Sequence, residues 1–147
     1  MKLISPTLKI AVFGSSGMAG SAICRALKRN GYYNLLLPKR KDLNLLNYGD
    51  VKEWFSKFQP DIVIIAAAKV GGIYANNKFP ADFILENLKI QNNIIESSLE
   101  NNVKRLLFLG SSCIYPKDAI QPIKEQYLLS NILEKTNESY AIAKIAG

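Results

Sequence analysis

Apolar residues along this chain fall into two alternating kinds of segment: short unbroken runs, and longer stretches in which they recur every three or four positions. Residues 9–13 form a β-branched run that stops at Gly14. Runs of this kind bury both faces as inner strands of a parallel sheet, so this is the first predicted strand. Met18, Ala22, Ile23, Ala26 and Leu27 then recur at helical spacing, and Lys28 and Arg29 precede Gly31, which predicts a helix over 17–30 with a basic last turn and a glycine stop. Residues 34–37 make a second short strand ended by Pro38. Val51, Trp54, Phe55 and Phe58 predict a helix with one aromatic face. The run DIVIIAAA, 61–68, is the clearest buried strand. Pro80 opens a long helix on which Ile84, Leu88, Gln91, Ile95 and Leu99 trace one stripe. Residues 105–109 give a fourth strand, 112–136 read mostly as loop, and Asn137 is placed to cap a helix over 139–146. The order β-α-β-α-β-α-β-loop-α calls for a doubly wound parallel α/β sheet with helices on both faces. No repeat or low-complexity linker divides it, so 1–147 reads as one domain.

Composition narrows the chemistry. Of 147 residues, 48% are hydrophobic and 21% charged, enough for a folded core. Lys and Arg outnumber Asp and Glu by 19 to 12, and the net charge of +7 favours anionic partners. There is no histidine, which excludes a Ser/His/Asp triad, a His-ligated metal or a His proton shuttle within these residues, and no metal site is expected. Cys24 and Cys113 make no CxxC pair or disulfide framework, which suits a reducing cytoplasm. The first fourteen residues, MKLISPTLKIAVFG, are broken by Ser5, Pro6, Thr7 and Lys9 and hold no signal-peptide core. The aliphatic run 62–68 is too short to span a bilayer, so no membrane association is expected. Scattered basic residues without a stacking platform argue against nucleic acid.

Five constellations carry candidate chemistry. Gly14, Ser15, Ser16, Gly17, Met18, Ala19 and Gly20 form a GxxGxxG turn between a strand and a helix. Its glycines are expected to allow the tight turn (Gly14), admit a pyrophosphate to the helix N-terminus (Gly17) and permit close helix-to-strand packing (Gly20). Lys39, Arg40 and Lys41 follow strand two, where a cation binds a 2′-phosphate, and Arg40 has the bidentate geometry for it. Asp42 stands where an acid would instead select NAD, so NADPH is favoured and NAD stays open. Tyr140 and Lys144, four apart, share one face of the last helix, and an ammonium beside a phenol is expected to lower its pKa toward the working range. After strand four, Ser111 of Gly110–Pro116 can donate to a substrate oxygen, while Cys113 is either an acid/base or a buried structural thiol. Lys69, Val70, Gly71, Gly72 and Ile73 lie at the same edge, where the paired glycines admit a ligand or simply make a turn.

Taken together, GSSGMAGSAI, RKDLNLL, AAAKVGGIYANNKFPADFI, FLGSSCIYP and TNESYAIAKIAG resemble the GDP-L-fucose synthases, a family of extended short-chain dehydrogenase/reductases. The resemblance covers nearly the whole chain but only the N-terminal half of the family's length. It implies a Rossmann-type domain and an NADPH-dependent 3,5-epimerase/4-reductase that converts GDP-4-keto-6-deoxy-D-mannose to GDP-L-fucose. Carried over by position, Tyr140 is the general acid for ketone reduction, Lys144 its partner and a ribose ligand, Ser111 orients the carbonyl and Cys113 is the epimerisation base. NADP(H) contacts come from Gly14 through Gly20, Arg40, Asn44, Leu45, Ala66, Ala67, Ala68, Leu109, Gly110, Ser111, Ser112 and Lys144.

Ser16 departs from the pattern, because relatives place an arginine there, and this moves the NADP argument onto Arg40. The family's remaining strands, its nucleotide-sugar domain and the histidine that serves as epimerisation acid belong to the portion this chain does not match. The resemblance therefore implies a GDP-sugar substrate, a homodimer in the full-length family, and room for a separately encoded C-terminal half. It also leaves strand four as a bare sheet edge. The alternative is a non-catalytic dinucleotide-binding remnant.

Overall fold

β1 (Ile10–Phe13) is buried at every position because strands flank both its edges and side chains cover both its faces. It pairs in parallel with β2 (Leu35–Leu36) and β3 (Ile62–Ile65), and β3 pairs in parallel with β4 (Arg105–Phe108), giving the order β2-β1-β3-β4. Phe13 sits opposite Ile65, and Ile65 opposite Phe108. The strands therefore end together, and the loops that follow them share the carboxyl edge of the sheet. This is a Rossmann-like fold. The computed structural model describes residues 4–147. The part of the signal-peptide reading that falls on Met1, Lys2 and Leu3 lies outside the described residues.

Side chains alternate across the sheet. Ala11, Phe13, Val63 and Ile65 pack on one face with Val51 and Phe55 of α2 (Tyr48–Phe58) and Ile94 of α4 (Pro80–Glu100). Ile10, Val12, Ile62 and Ile64 pack on the other with Cys24 and Leu27 of α1 (Met18–Arg29) and with Tyr32. The aromatic face expected for α2 is seated as predicted: Phe55 stacks on Phe13 at 5.6 Å and Trp54 meets it edge-on at 5.2 Å. α1 ends as its sequence dictates, with Gly31 in the left-handed region (φ 78°) just past Asn30. The Asn47 side chain caps α2 by accepting the Asp50 N–H at 3.2 Å.

Three expectations need correction. First, α4 does not bury the stripe traced by its apolar residues. Its buried positions are Phe83, Asn87, Gln91, Ile94, Ser97 and Ser98, while Leu99 is 80% exposed. The buried face is turned by about one position because it includes polar side chains. Asn87 and Ser98 are paired with backbone carbonyls, at 2.7 Å to Phe83 and 2.6 Å to Ile94, so their burial carries no orphan cost there. Second, a short helix, α3 (Ile73–Lys78), precedes α4. It starts on Gly72, and Asn76 donates to the carbonyls of Gly71 (2.8 Å) and Gly72 (3.1 Å). Third, Asn137 precedes α5 (Glu138–Ala146) without capping it. Residues Lys135–Asn137 already form a 3-10 turn, which holds Asn137 at φ −131°, ψ 20° instead of the extended conformation a cap requires. Its Oδ1 is buried without a partner. Two more 3-10 turns, Ser112–Ile114 and Glu125–Tyr127, punctuate the region read as loop.

The chain divides into two compact units. One comprises the residues up to Ala68 together with Lys89–Leu109 and contains the sheet; the other comprises Lys69–Leu88 and Gly110–Gly147. In the sheet unit, Asp61 ties together the starts of three strands. It accepts the Lys9 N–H at 2.9 Å and the Lys104 ammonium at 2.7 Å. The Lys104 contact, then the Lys9 N–H, hold its carboxyl below the usual range. A lowered folded-state pKa stabilises the fold above the ordinary carboxylate pKa and ceases to do so as pH falls through the lowered value. In denaturant titrations Asp61→Asn is expected to be less stable than wild type at pH 7, with the gap closing toward pH 3. A gap independent of pH would show that the carboxylate charge contributes nothing.

Candidate active and cofactor site

Because all four strands run parallel, the sheet unit gathers the glycine turn, the loop after β2, Ala66–Ala68 and Leu109 at one edge, where open α/β sheets take ligands. The turn is tight. Gly14 has φ 86°, and a Cβ there would lie 2.6 Å from the Ala67 nitrogen and 2.8 Å from the Ala66 oxygen. A Cβ on Gly20 would lie 2.1 Å from the Gly14 oxygen. The expected roles are thus redistributed. Gly14 permits the approach to the end of β3, and Gly20 packs against the turn itself. Gly17 is least constrained, with nothing nearer its Cβ position than Gly14 oxygen at 3.4 Å.

This elbow suits an anion. Gly17 is the N-cap of α1 and makes no side-chain cap bond, and the first turn of α1 carries no acid. The helix start therefore presents backbone N–H groups and the positive end of the helix dipole with no acid of its own first turn competing. Ser16, Gly17, Met18 and Ala19 are exposed around it. Beyond β2, Arg40 and Asn44 are exposed and Leu45 is half-buried. Asp42, the residue that would argue for NAD, lines a cavity of about 490 Å³ with Asp50, Glu53 and Trp54, and none of the expected cofactor contacts lines that cavity.

The second unit brings together the four candidates for chemistry. Ser111 and Cys113 flank the start of the 3-10 turn Ser112–Ile114, which packs on α5, the helix carrying Tyr140 and Lys144. Cys113 Sγ lies 3.1 Å from Ser111 Oγ. Lys144 is 7% exposed, and its Nζ lies 5.9 Å from the centre of the Tyr140 ring. Burial pushes the Tyr140 phenol above its usual pKa, the Cys113 charge pushes it further, and the hydrogen bond with Ser111 pulls it back. Burial lowers the Lys144 ammonium, and the Cys113 charge opposes that shift. The expected lowering of the phenol by Lys144 is therefore not found. The amine stands over the ring, and burial is the largest cause of the phenol's shift. A raised pKa keeps the phenol protonated at neutral pH, the form needed to donate a proton.

The same unit contains residues that the sequence reading passed over. The Asn87 carboxamide accepts the Lys69 N–H at 2.9 Å and donates to the Lys69 carbonyl at 3.0 Å, so it continues the backbone pairing just past β3. The Lys69 ammonium is held by Glu86 and, at 3.8 Å, by Asp82. Gly71 lies against Phe83, whose ring would be 2.8 Å from a Cβ, whereas Gly72 faces open space. The paired glycines thus make a turn whose first member abuts an aromatic ring. The available signal was an amide at 87 between Phe83 and Gln91, in helical register with the buried face. No helix among the described residues is long and apolar enough to cross a membrane.

Comparison with known proteins is consistent with this geometry. Residues 10–147 match the model of the NAD dependent epimerase/dehydratase family. The chain is 59% identical over 139 residues to GDP-L-fucose synthase 1 of Arabidopsis thaliana and 54% identical over 139 residues to GDP-L-fucose synthase of Escherichia coli (strain K12). Each match covers 95% of this chain and 43% of the relative, so the chain spans less than half the length of these proteins. Among solved structures, the GDP-mannoheptose C4 reductase MlghC from Campylobacter jejuni, with NADP bound, is similar at TM-score 0.93 and 42% identity, covering 97% of this chain and 45% of that one. With a family model matched over residues 10–147 and relatives 59% and 54% identical over 95% of its length, this chain belongs to the NAD dependent epimerase/dehydratase family.

Proposed function

We propose that this chain is the N-terminal, nucleotide-binding half of an NADPH-dependent epimerase/reductase that converts GDP-4-keto-6-deoxy-D-mannose to GDP-L-fucose in the cytoplasm. The observation that carries the reading is the convergence of Ser111, Cys113, Tyr140 and Lys144 within one unit. Gly14 through Gly20 would hold the dinucleotide diphosphate on the α1 terminus, with Arg40, Asn44, Leu45, Ala66, Ala67, Ala68 and Leu109 along the same edge. When bound, NADPH supplies the hydride. Tyr140 donates the proton to the carbonyl oxygen, Ser111 orients that oxygen by hydrogen bonding, and Lys144 binds ribose hydroxyls. Cys113 removes a proton during epimerisation, which requires a second proton-transfer group from outside these residues because the chain has no histidine. The assembled enzyme is a homodimer in this reading, and its second half is joined to this chain or separately encoded.

The test is to incubate the chain with NADPH and the keto sugar, alone and with the C-terminal portion of a relative. Turnover only after addition supports an enzyme half. NADPH binding without turnover in either mixture supports a non-catalytic dinucleotide-binding remnant, and no NADPH binding sinks both. Arg40→Ala is expected to reduce the preference for NADPH over NADH by about 1.5–3 kcal/mol, the scale of a hydrogen bond to a charged group. An unchanged ratio of the two affinities would remove Arg40 from the 2′-phosphate site.

A further inference from the structure

No expected cofactor contact lines the cavity beside α2. Its volume, about 490 Å³, falls in the range of about 300–1,000 Å³ that small-molecule sites occupy. The lining belongs entirely to the sheet unit. Leu36 of β2 and the residues that follow it form one side, and Asp50, Glu53, Trp54, Lys57 and Phe58, which recur at helical spacing along one stripe of α2, form the other. Three carboxylates, Asp42, Asp50 and Glu53, against the single ammonium of Lys57 give this lining a charge of −2 in a chain whose net charge is +7. Asp50 has a local reason for its place, since it stands in the first turn of α2 at the positive end of the helix dipole. Glu53 precedes Lys57 by one helical turn, yet no ion pair among the described residues engages any of the three carboxylates. Aromatic rings lie beside them. Trp54 is half-buried and packs on Phe58 with ring centres 4.9 Å apart, and Lys57 Nζ stands 5.4 Å from the centre of the Phe58 ring, so a cation is already accommodated against this surface.

We propose that this cavity binds an elongated organic cation, an aliphatic di- or polyamine, whose ammonium groups meet Asp42, Asp50 and Glu53 and whose methylene chain lies along Trp54, Phe58 and Leu36. Charge and shape favour that occupant over others. A phosphate-bearing ligand would face three carboxylates. A metal ion needs ligands that converge on one point, and among the described residues no three acidic, histidine or cysteine side chains do so. Carboxylates distributed along a lining instead match charges distributed along a chain. A neutral apolar molecule would cover the rings and leave the carboxylates unpaired. A polyamine uses both, because its methylenes remove apolar surface from water while its ammonium groups pair with carboxylates and stand over aromatic faces. The inference does not depend on the catalytic reading.

Trp54 is the only tryptophan of the chain, so its fluorescence reports on this cavity directly. The chain is titrated with spermidine at constant ionic strength, and in parallel with hexanediol and with magnesium chloride. Spermidine is expected to give a saturable change in Trp54 emission, with hexanediol and Mg²⁺ binding at least about tenfold more weakly. Asp50→Asn combined with Glu53→Gln keeps the side-chain shapes, removes two charges and is expected to weaken spermidine binding about tenfold, the joint effect of two exposed ion pairs. Lys57→Gln removes the competing cation and is expected to tighten binding by about two- to fivefold. A misfolded variant cannot produce that gain. A spermidine signal that does not saturate, hexanediol or Mg²⁺ binding as tightly as spermidine, a double variant that binds like wild type, or a Lys57→Gln variant that binds more weakly would each overturn the proposal.

Discussion

Tyr140→Phe is expected to slow carbonyl reduction by about 10²–10⁴-fold in the assembled enzyme, the usual contribution of a positioned proton donor, with NADPH affinity changed by less than about threefold. The substitution removes one oxygen from a half-buried side chain on α5 and leaves the ring over which Lys144 is placed. It therefore deletes the acid without opening a cavity. Single-turnover reduction, followed by the loss of NADPH absorbance, reads the chemistry, and a fluorescence titration reads binding. If both fall together, the hydroxyl maintains structure and the proton comes from elsewhere. Ser111→Ala offers an internal comparison. Because Ser111 pulls the phenol pKa down against burial and the Cys113 charge, its loss is expected to move the Tyr140 pKa further upward.

The second large effect concerns the elbow. Gly20→Ala places a methyl group 2.1 Å from the Gly14 oxygen and 3.0 Å from the Ser15 Cα, both backbone atoms that no rotamer change can move aside. Overpacking typically costs about 1–3 kcal/mol, and backbone contacts this short put Gly20→Ala at the upper end, about 3 kcal/mol, which for a chain of this size is roughly 6–12 °C in melting midpoint. Gly17→Ala, by contrast, meets nothing closer than 3.4 Å at an ordinary φ of −74° and is expected to melt close to wild type. Its added methyl sits at the exposed helix start, so NADPH binding is where it is expected to tell. Thermal unfolding of the two variants separates a glycine required by the fold from one required by the ligand. Equal midpoints would mean that the turn relaxes where its geometry says it cannot.

Much of this was legible from residue order. The strand-turn-helix setting of the glycines, the apolar runs of β1 and β3, the aromatic face of α2 and the pairing of Tyr140 with Lys144 on one helix all follow from local period and side-chain chemistry. Other features were not legible, for identifiable reasons. The buried face of α4 includes Asn87, Ser97 and Ser98 beside the expected Gln91, and a count of apolar residues cannot see a polar side chain such as Asn87, whose backbone partner, Lys69, lies 18 positions away. Asn137 looked like a cap because its type favours one, but the turn before it had already set its backbone.

What the sequence determined by itself was the alternation of strands and helices and the identity of the groups that can do chemistry, since both depend on side-chain type and spacing along one element. Only the tertiary structure decided the state of those groups. The direction of the Tyr140 shift depends on how much water Ser111, Cys113 and the buried face of α5 leave around the phenol. Desolvation is a property of the whole environment, and no two residues four apart on a helix encode it alone.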